Sequence, residues 1–270
     1  MTKTRKITYT IFAVAILLVI TYGCIKVYKY RHQPPRVVML TIPPVRTVPD
    51  LAGRLAKFVD ADSTQLITVF SDSTLIDSLG FNAQTLPAMF IPNSYEVYEW
   101  ISPKDLLLRL KKEYDIFWTP KRQAQAKEQG LTPVEVMTLA SIVEQETTCD
   151  AEKPTIAGVY LNRLKKGMLL QADPTVKYAI GNFTLKRILK QHLRCDNPYN
   201  TYIYEGLPPG PICIPSLASI NAVLTPETHN YIYMCAKEDF SGTHSFAITL
   251  AEHNINARKY AEALNKAGIR

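Results

Sequence analysis

Three carboxylates fall within the stretch VEQETTCD, residues 143–150: Glu144, Glu146 and Asp150. They follow the apolar run MTLASI, and acids so close to residues destined for burial need a partner or a task. A shared metal fits poorly. Glu144 and Glu146 lie two apart, so on a helix they point in different directions. The histidines, His32, His192, His229, His244 and His253, form no H-E-x-x-H and no i, i+4 pair beside an acid. No metal and no cofactor is therefore expected. Nucleophilic catalysis fits no better: there is no G-x-S-x-G, and Cys149 sits among acids, the wrong surroundings for a reactive thiolate. Acid–base work remains. A carboxyl group on an apolar face loses hydration, which moves its pKa toward the range of a general acid.

Which glutamate faces inward depends on the helix beneath them. Thr132-Pro133-Val134-Glu135 reads as a capping box with proline in the first turn. Val136, Leu139, Ala140 and Val143 then form an apolar stripe at helical spacing, which predicts a helix buried on one face with VEQET at its C-terminal end. Projected at ~100° per residue, Glu146 falls roughly 70° from the stripe centre and Glu144 roughly 90° away on the other side. That leaves the two tied. Either acid also opposes the negative end of the helix dipole, a small cost that needs compensation.

The other elements are read the same way. Helices are predicted from Asp50 to Val59, from a Ser63-Thr64 cap to Phe70, and from a Ser73 cap to Leu79. Ser102 caps the next, with Pro103 at its first position. Another runs from Pro154, with Ile156, Val159, Tyr160 and Leu164 inward and Gly167 as its left-handed cap. TLKRILKQHL, 184–193, reads as a basic helix and NYIYMCA as a buried strand. The 21-residue DNPYNTYIYEGLPPGPICIPS is irregular, and a loop of such length in a compact domain is usually functional. The class is α+β, mainly helical with a small β-sheet.

Charge places these elements. The first 36 residues hold seven Lys and Arg and no acid, whereas the remainder is formally neutral, with 24 basic and 24 acidic residues. A nucleic-acid partner is not expected, because its basic excess would lie on the folded domain. Ile7–Ile25 is a 19-residue run without a charge, close to the ~20 residues of a membrane-spanning helix. Lys3, Arg5 and Lys6 precede it and favour a cytoplasmic N-terminus with the folded part outside. A cleaved signal peptide is the competing reading. Residues 31–49 are proline-rich and read as an extended linker. None of the cysteines, Cys24, Cys149, Cys195, Cys213 and Cys235, has C-x-x-C spacing, and their pairing is not readable.

LASIVEQET, IAGVYLNRLKKGMLLQADPTVKYAIG, NPYNTYIYEGLPPGPICIPS and HSFAITLAEHN follow one another in the second half of the chain. In this series the chain resembles the endolytic murein transglycosylase family, the MltG or YceG-like proteins, over residues 45–270. The resemblance implies a lysozyme-like catalytic domain behind one membrane anchor. It implies cleavage of the β-1,4 bond between N-acetylmuramic acid and N-acetylglucosamine in peptidoglycan, leaving 1,6-anhydromuramoyl ends, and termination of nascent strands. It also implies peptidoglycan synthases as partners and a place on the bacterial cytoplasmic membrane. The family's catalytic acid is the Glu before Thr in E-x-E-T, here Glu146, with Glu144 supporting.

One acid suffices for that chemistry. It donates to the glycosidic oxygen, and its carboxylate then takes the C6 hydroxyl proton. A hydrolase would need a second carboxylate, for which Asp173 is the nominee beside its simpler role in capping the Asp-Pro turn. Gln171, Asp173, Thr175, Tyr199, Asn200, Thr201 and Tyr202 are expected to line the sugar cleft. LPPGP, 207–211, is expected to form a rigid wall. His244 and His253 are read as buried and hydrogen-bonded, with a place in the cleft as the alternative. The resulting organisation is a cytoplasmic 1–6, a membrane helix 7–25, a linker 26–49, a helical region 50–130 and a catalytic core 131–270. The family's LysM-like module is absent or reduced. A hydrolase on the same fold and a non-enzymatic glycan-binding scaffold stay open as alternatives.

Overall fold

A computed structural model describes residues 16–26, 36–185 and 187–268. The chain divides into two compact units, Met1–Val37 and Val38–Arg270. In the first, residues 16–26 form an exposed helix, α1. Among the described residues no helix is long and apolar enough to cross a membrane. Residues 7–15 of the expected span lie outside them.

The larger unit is α+β. Strand β1 (Val37–Thr41) pairs with β2 (Ser94–Tyr98). Between them lie α2 (Val48–Leu55), α3 (Ser63–Phe70) and α4 (Ser73–Ser78). Then come α5 (Pro103–Phe117), α6 (Pro120–Glu128), α7 (Pro133–Glu146), α8 (Lys153–Lys165), α9 (Asp173–Ile180) and α10 (Leu217–Leu224). Strands β3 (Tyr233–Ala236) and β4 (His244–Ala247) form an antiparallel hairpin, with Tyr233 opposite Ala247 and Ala236 opposite His244, before α11 (Leu250–Lys266). Two separate two-stranded sheets thus replace the single small sheet expected. Part of the proline-rich segment is structured: β1 lies in it, and Val45 bridges to Ile214.

The caps follow sequence chemistry, with small shifts. Asp62 and Asp72 cap α3 and α4, each one residue before the serine expected, because a carboxylate accepts the N3 amide. The cap at Ser102 and the box at Thr132 form where predicted, with Thr132 Oγ1 accepting from Glu135 N and Glu135 Oε2 accepting from Thr132 N.

Helix α7 departs from its expectation. It is buried all round from Val136 to Val143, because α8 and α10 pack against it from different sides. Its two small hydroxyl residues make that possible. Thr138 Oγ1 donates to the Val134 carbonyl, and Ser141 Oγ donates to Thr138 O while accepting from Ile212 N. Each polar atom is satisfied inside the core, which removes the desolvation cost.

The basic stretch 184–193 is not a helix: its described residues turn and bend up to a short 3-10 segment at His192–Arg194. Asn182 Oδ1 takes the Thr184 amide, His192 Nδ1 takes the Leu189 amide, and none of the stretch's described residues is buried. Without a face to bury, helix propensity has nothing to reinforce it. Of LPPGP, expected as a rigid cleft wall, Leu207, Pro208 and Pro209 line a groove with Gly130, Val134 and Leu164, and none of 207–211 lines the cleft beside Glu146. Gly210 lies where a Cβ would meet the Gln84 carbonyl oxygen at 2.1 Å, so the backbones touch there.

Candidate active site

The three acids of VEQETTCD go to three different places. Glu144 turns toward α10. Its Oε2 accepts from Ser216 Oγ at 2.5 Å, Ser219 Oγ at 2.5 Å, Ser216 N at 3.2 Å and Lys153 Nζ at 3.1 Å. Burial disfavours its charge, but those hydrogen bonds and the Lys153 charge outweigh burial and hold the carboxyl below its ordinary pKa. Asp150 completes the pairing of Lys153, 2.8 Å from a side chain only 4% exposed. Together Glu144, Asp150 and Lys153 fasten the end of α7 to the starts of α8 and α10.

Glu146 turns the other way, toward α8. Tyr160, buried on α8, donates to its Oε1 at 2.5 Å. Burial pushes its pKa up, and the Tyr160 hydrogen bond and the nearby His244 pull against this without reversing it. With Oε1 held, Oε2 makes no hydrogen bond and faces a cleft of about 270 Å³. One oxygen is fixed and the other presented, as a proton donor requires. Because Tyr160 stabilises the charged form, Tyr160→Phe should move the Glu146 titration to higher pH, read by NMR of a labelled side-chain carboxyl.

Glu146, Tyr160, Arg163, Gln171, Asp173, Tyr202, His244 and the β3 residues Met234, Cys235 and Ala236 line the cleft, so four of the expected residues converge. Gln171 holds φ +51, a left-handed backbone unusual for a side chain of its size. Its amide is tied to the Thr201 carbonyl at 3.0 Å. Asp173 does not cap α9, and its Oδ1 instead accepts from the Tyr202 hydroxyl at 2.6 Å.

The other expected sugar ligands are structural. Thr175 and Thr201 are buried against each other, Oγ1 to Oγ1 at 2.8 Å. Asn200 is buried and donates to the carbonyls of Leu193 and Cys195, which shapes the long loop. Tyr199 packs on Tyr178, ring centres 4.6 Å apart. From that loop Tyr202 alone is among the cleft-lining residues. The short polar side chains are consumed by holding the irregular backbone, which has no ladder to satisfy it.

Sequence reasoning missed Tyr160 and Arg163 as site residues. Both stand on the face of α8 read as core. A tyrosine hydroxyl and a guanidinium three residues apart on an inward face are the signal, since both must find partners. Arg163, 8% exposed, donates to the carbonyls of Ile232, Leu169 and Leu170 and reaches Gln171 Oε1 at 3.4 Å. His244 combines both readings offered for it: it is hydrogen-bonded to Glu152 and lines the cleft. His253 departs from both. Its ring stacks on Tyr233 and its buried Nδ1 has no hydrogen-bond partner. The cysteines, whose pairing the sequence leaves unreadable, are free.

A larger groove, about 750 Å³, is lined by Arg46, Arg54, Lys57 and Gln145, but its one acid, the exposed Asp50, is taken up by Thr47. The smaller cleft is lined by two carboxyl side chains, Glu146 and Asp173.

Comparison with known proteins bears on the whole chain. It is 41% identical over 144 residues to a Bacillus subtilis protein named endolytic murein transglycosylase, covering 53% of this chain and 39% of that one. It is 28% identical over 255 residues to a Streptococcus pneumoniae protein of the same name, covering 86% of this chain and 46% of the relative. The chain thus spans less than half the length of these relatives. The crystal structure of a yceG-like protein from Listeria monocytogenes superposes with a TM-score of 0.67 at 27% identity, covering 87% of this chain and 80% of that one. The model of the YceG-like family matches residues 16–259. On that match, which takes in α7, the cleft and both hairpin strands, the chain belongs to the YceG-like family.

Proposed function

We propose that this chain is a lytic transglycosylase that cleaves the MurNAc–GlcNAc β-1,4 bond inside peptidoglycan strands and leaves 1,6-anhydro-MurNAc ends. The observation that carries the reading is Glu146, with one oxygen locked by Tyr160 and the other open to a cleft. The names of the relatives, endolytic murein transglycosylase, support the substrate class. Burial raises the pKa of Glu146, which favours the protonated form that donates to the glycosidic oxygen as C1 becomes oxocarbenium-like. The C6 hydroxyl of the same sugar then closes on C1, and no water enters. Gln171, Asp173 and Tyr202 supply donors and acceptors along the wall. A cleft of this volume lies near the ~300 Å³ lower end of small-ligand pockets, which suits the reacting linkage rather than a long strand.

The reading extends to the remaining expectations. The domain sits on a lysozyme-like plan, outside the cytoplasmic membrane, anchored through Ile7–Ile25 and working beside peptidoglycan synthases to end nascent strands. One observation favours a second reading. Asp173 is a second carboxylate in the cleft, as a hydrolase requires. Mass spectrometry of digested peptidoglycan separates the two. Anhydromuramoyl ends are expected, and reducing ends without them would establish hydrolysis.

A further inference from the structure

We propose that His244, oriented by Glu152, is the base that takes the C6 hydroxyl proton, so that Glu146 acts as the acid alone. This rests on the transglycosylase reading.

The geometry is that of a built dyad. Glu152 is 9% exposed, and a carboxylate so deeply placed needs partners. Both of its oxygens are used on one residue: Oε1 accepts from His244 N at 2.6 Å, and Oε2 pairs with His244 Nδ1 at 2.9 Å. The backbone bond fixes the start of β4, and the side-chain bond fixes the ring. A carboxylate on Nδ1 requires the proton there, which leaves Nε2 as an acceptor in the neutral imidazole. Nε2 makes no hydrogen bond and is not among the buried atoms lacking one, and His244 lines the cleft. The charged and titratable groups that share this space are Glu146 on α7, Tyr160 and Arg163 on α8, Asp173 and Lys177 on α9, Tyr202, and Cys235 on β3. Arg163 is occupied by carbonyls and Asp173 by Tyr202. His244 is left as the cleft residue whose ring is oriented from behind by a carboxylate.

The steps balance without a co-reactant. First the C1–O bond breaks, its electron pair goes to the leaving oxygen, and that oxygen takes the proton of Glu146. Next O6 forms its bond to C1 while the C6 hydroxyl proton passes to His244 Nε2. The site then holds a carboxylate and an imidazolium, and proton return between them, through solvent, resets it.

The test is the pH dependence of kcat/KM on purified peptidoglycan strands. Wild type should give a bell, since His244 must be neutral and Glu146 protonated. His244→Gln should lower the rate by ~10²-fold or more and remove the low-pH limb. Added imidazole should restore part of the activity of His244→Ala. Glu152→Gln loses the carboxylate that orients the ring and should lower kcat by ~10-fold or more with KM little changed. A positional role for the ring would give no imidazole rescue. Retention of the limb in His244→Gln, with a rate within about threefold of wild type, would overturn the assignment. Should His244→Gln lose cooperative melting, a wild-type rate in Glu152→Gln overturns it instead. Glu146→Gln keeps the two ideas apart: if that variant still cleaves, the transglycosylase reading falls, whereas a dead Glu146→Gln beside an unaffected His244→Gln removes only the base.

Discussion

Glu146→Gln should reduce peptidoglycan cleavage by ~10³-fold, the middle of the range for losing a general acid, while the protein stays folded. The amide oxygen can still accept from the Tyr160 hydroxyl, so the bond that holds this side chain is kept. What disappears is the proton. Stability should move in the opposite direction to activity. Burial raises the Glu146 pKa above its ordinary 4.5, so the folded state pays for ionising it at neutral pH. For an acid whose pKa is raised on folding, that penalty is absent below the unfolded value and grows as pH rises. Gln cannot ionise, so the variant should melt at the wild-type temperature or above it near pH 7. Thermal melts across pH 4–8, set beside the product assay, check both halves. A variant that is inactive and also unfolded would mean that Glu146 holds the fold together, and the assignment would fail.

The neighbouring acid should behave as the converse. Glu144→Ala should destabilise the protein by ~3 kcal/mol, the lower end of the cost of breaking a buried ion pair. It leaves Lys153, 4% exposed, with Asp150 as its remaining acid partner and takes the acceptor from two serine hydroxyls at the start of α10. The pH dependence has a definite sign. Glu144 has a lowered pKa in the fold, so its contribution is fully present above the ordinary value of 4.5 and is lost as pH falls through the folded value. The gap between wild type and variant in urea unfolding should therefore narrow on acidification below that point. An unchanged gap down to pH 3 would show that lost packing, and not lost charge, carries the cost. Two residues apart on one helix, the pair should thus divide cleanly, one variant losing catalysis and the other stability.

That division explains what the sequence could and could not tell. The capping box at Thr132, the Ser102-Pro103 start and the Gly167 stop involve neighbours in the chain, so local chemistry was enough to read them. Glu144 and Glu146 could not be told apart by projection, because what distinguishes them comes from afar. Two partners of Glu144, Ser216 and Ser219, lie at the start of α10, more than 70 positions away. Those of Glu146 lie on α8 and in the cleft walls. Resemblance to a family broke the tie where helical geometry could not. The same distance effect hid the dyad, since Glu152 and His244 are separated by 92 positions. Thr175, Asn200 and Thr201 misled for the opposite reason. Their residue types suit sugar binding, but irregular backbone consumes the same hydrogen-bonding groups.

Arg163 has a mechanical consequence. Its guanidinium ties the segment after α8, through Leu169 and Leu170, to the segment before β3, through Ile232. One turn away on the same helix, Tyr160 holds Glu146. The acid and two walls around it therefore hang from a single buried helix and share its rigidity. Strands β3 and β4, by contrast, are half-exposed along most of their length. Segments with little buried surface open locally at low cost. The hairpin is thus the part of the cleft wall expected to open first, with His244, pinned by Glu152, as its anchored end.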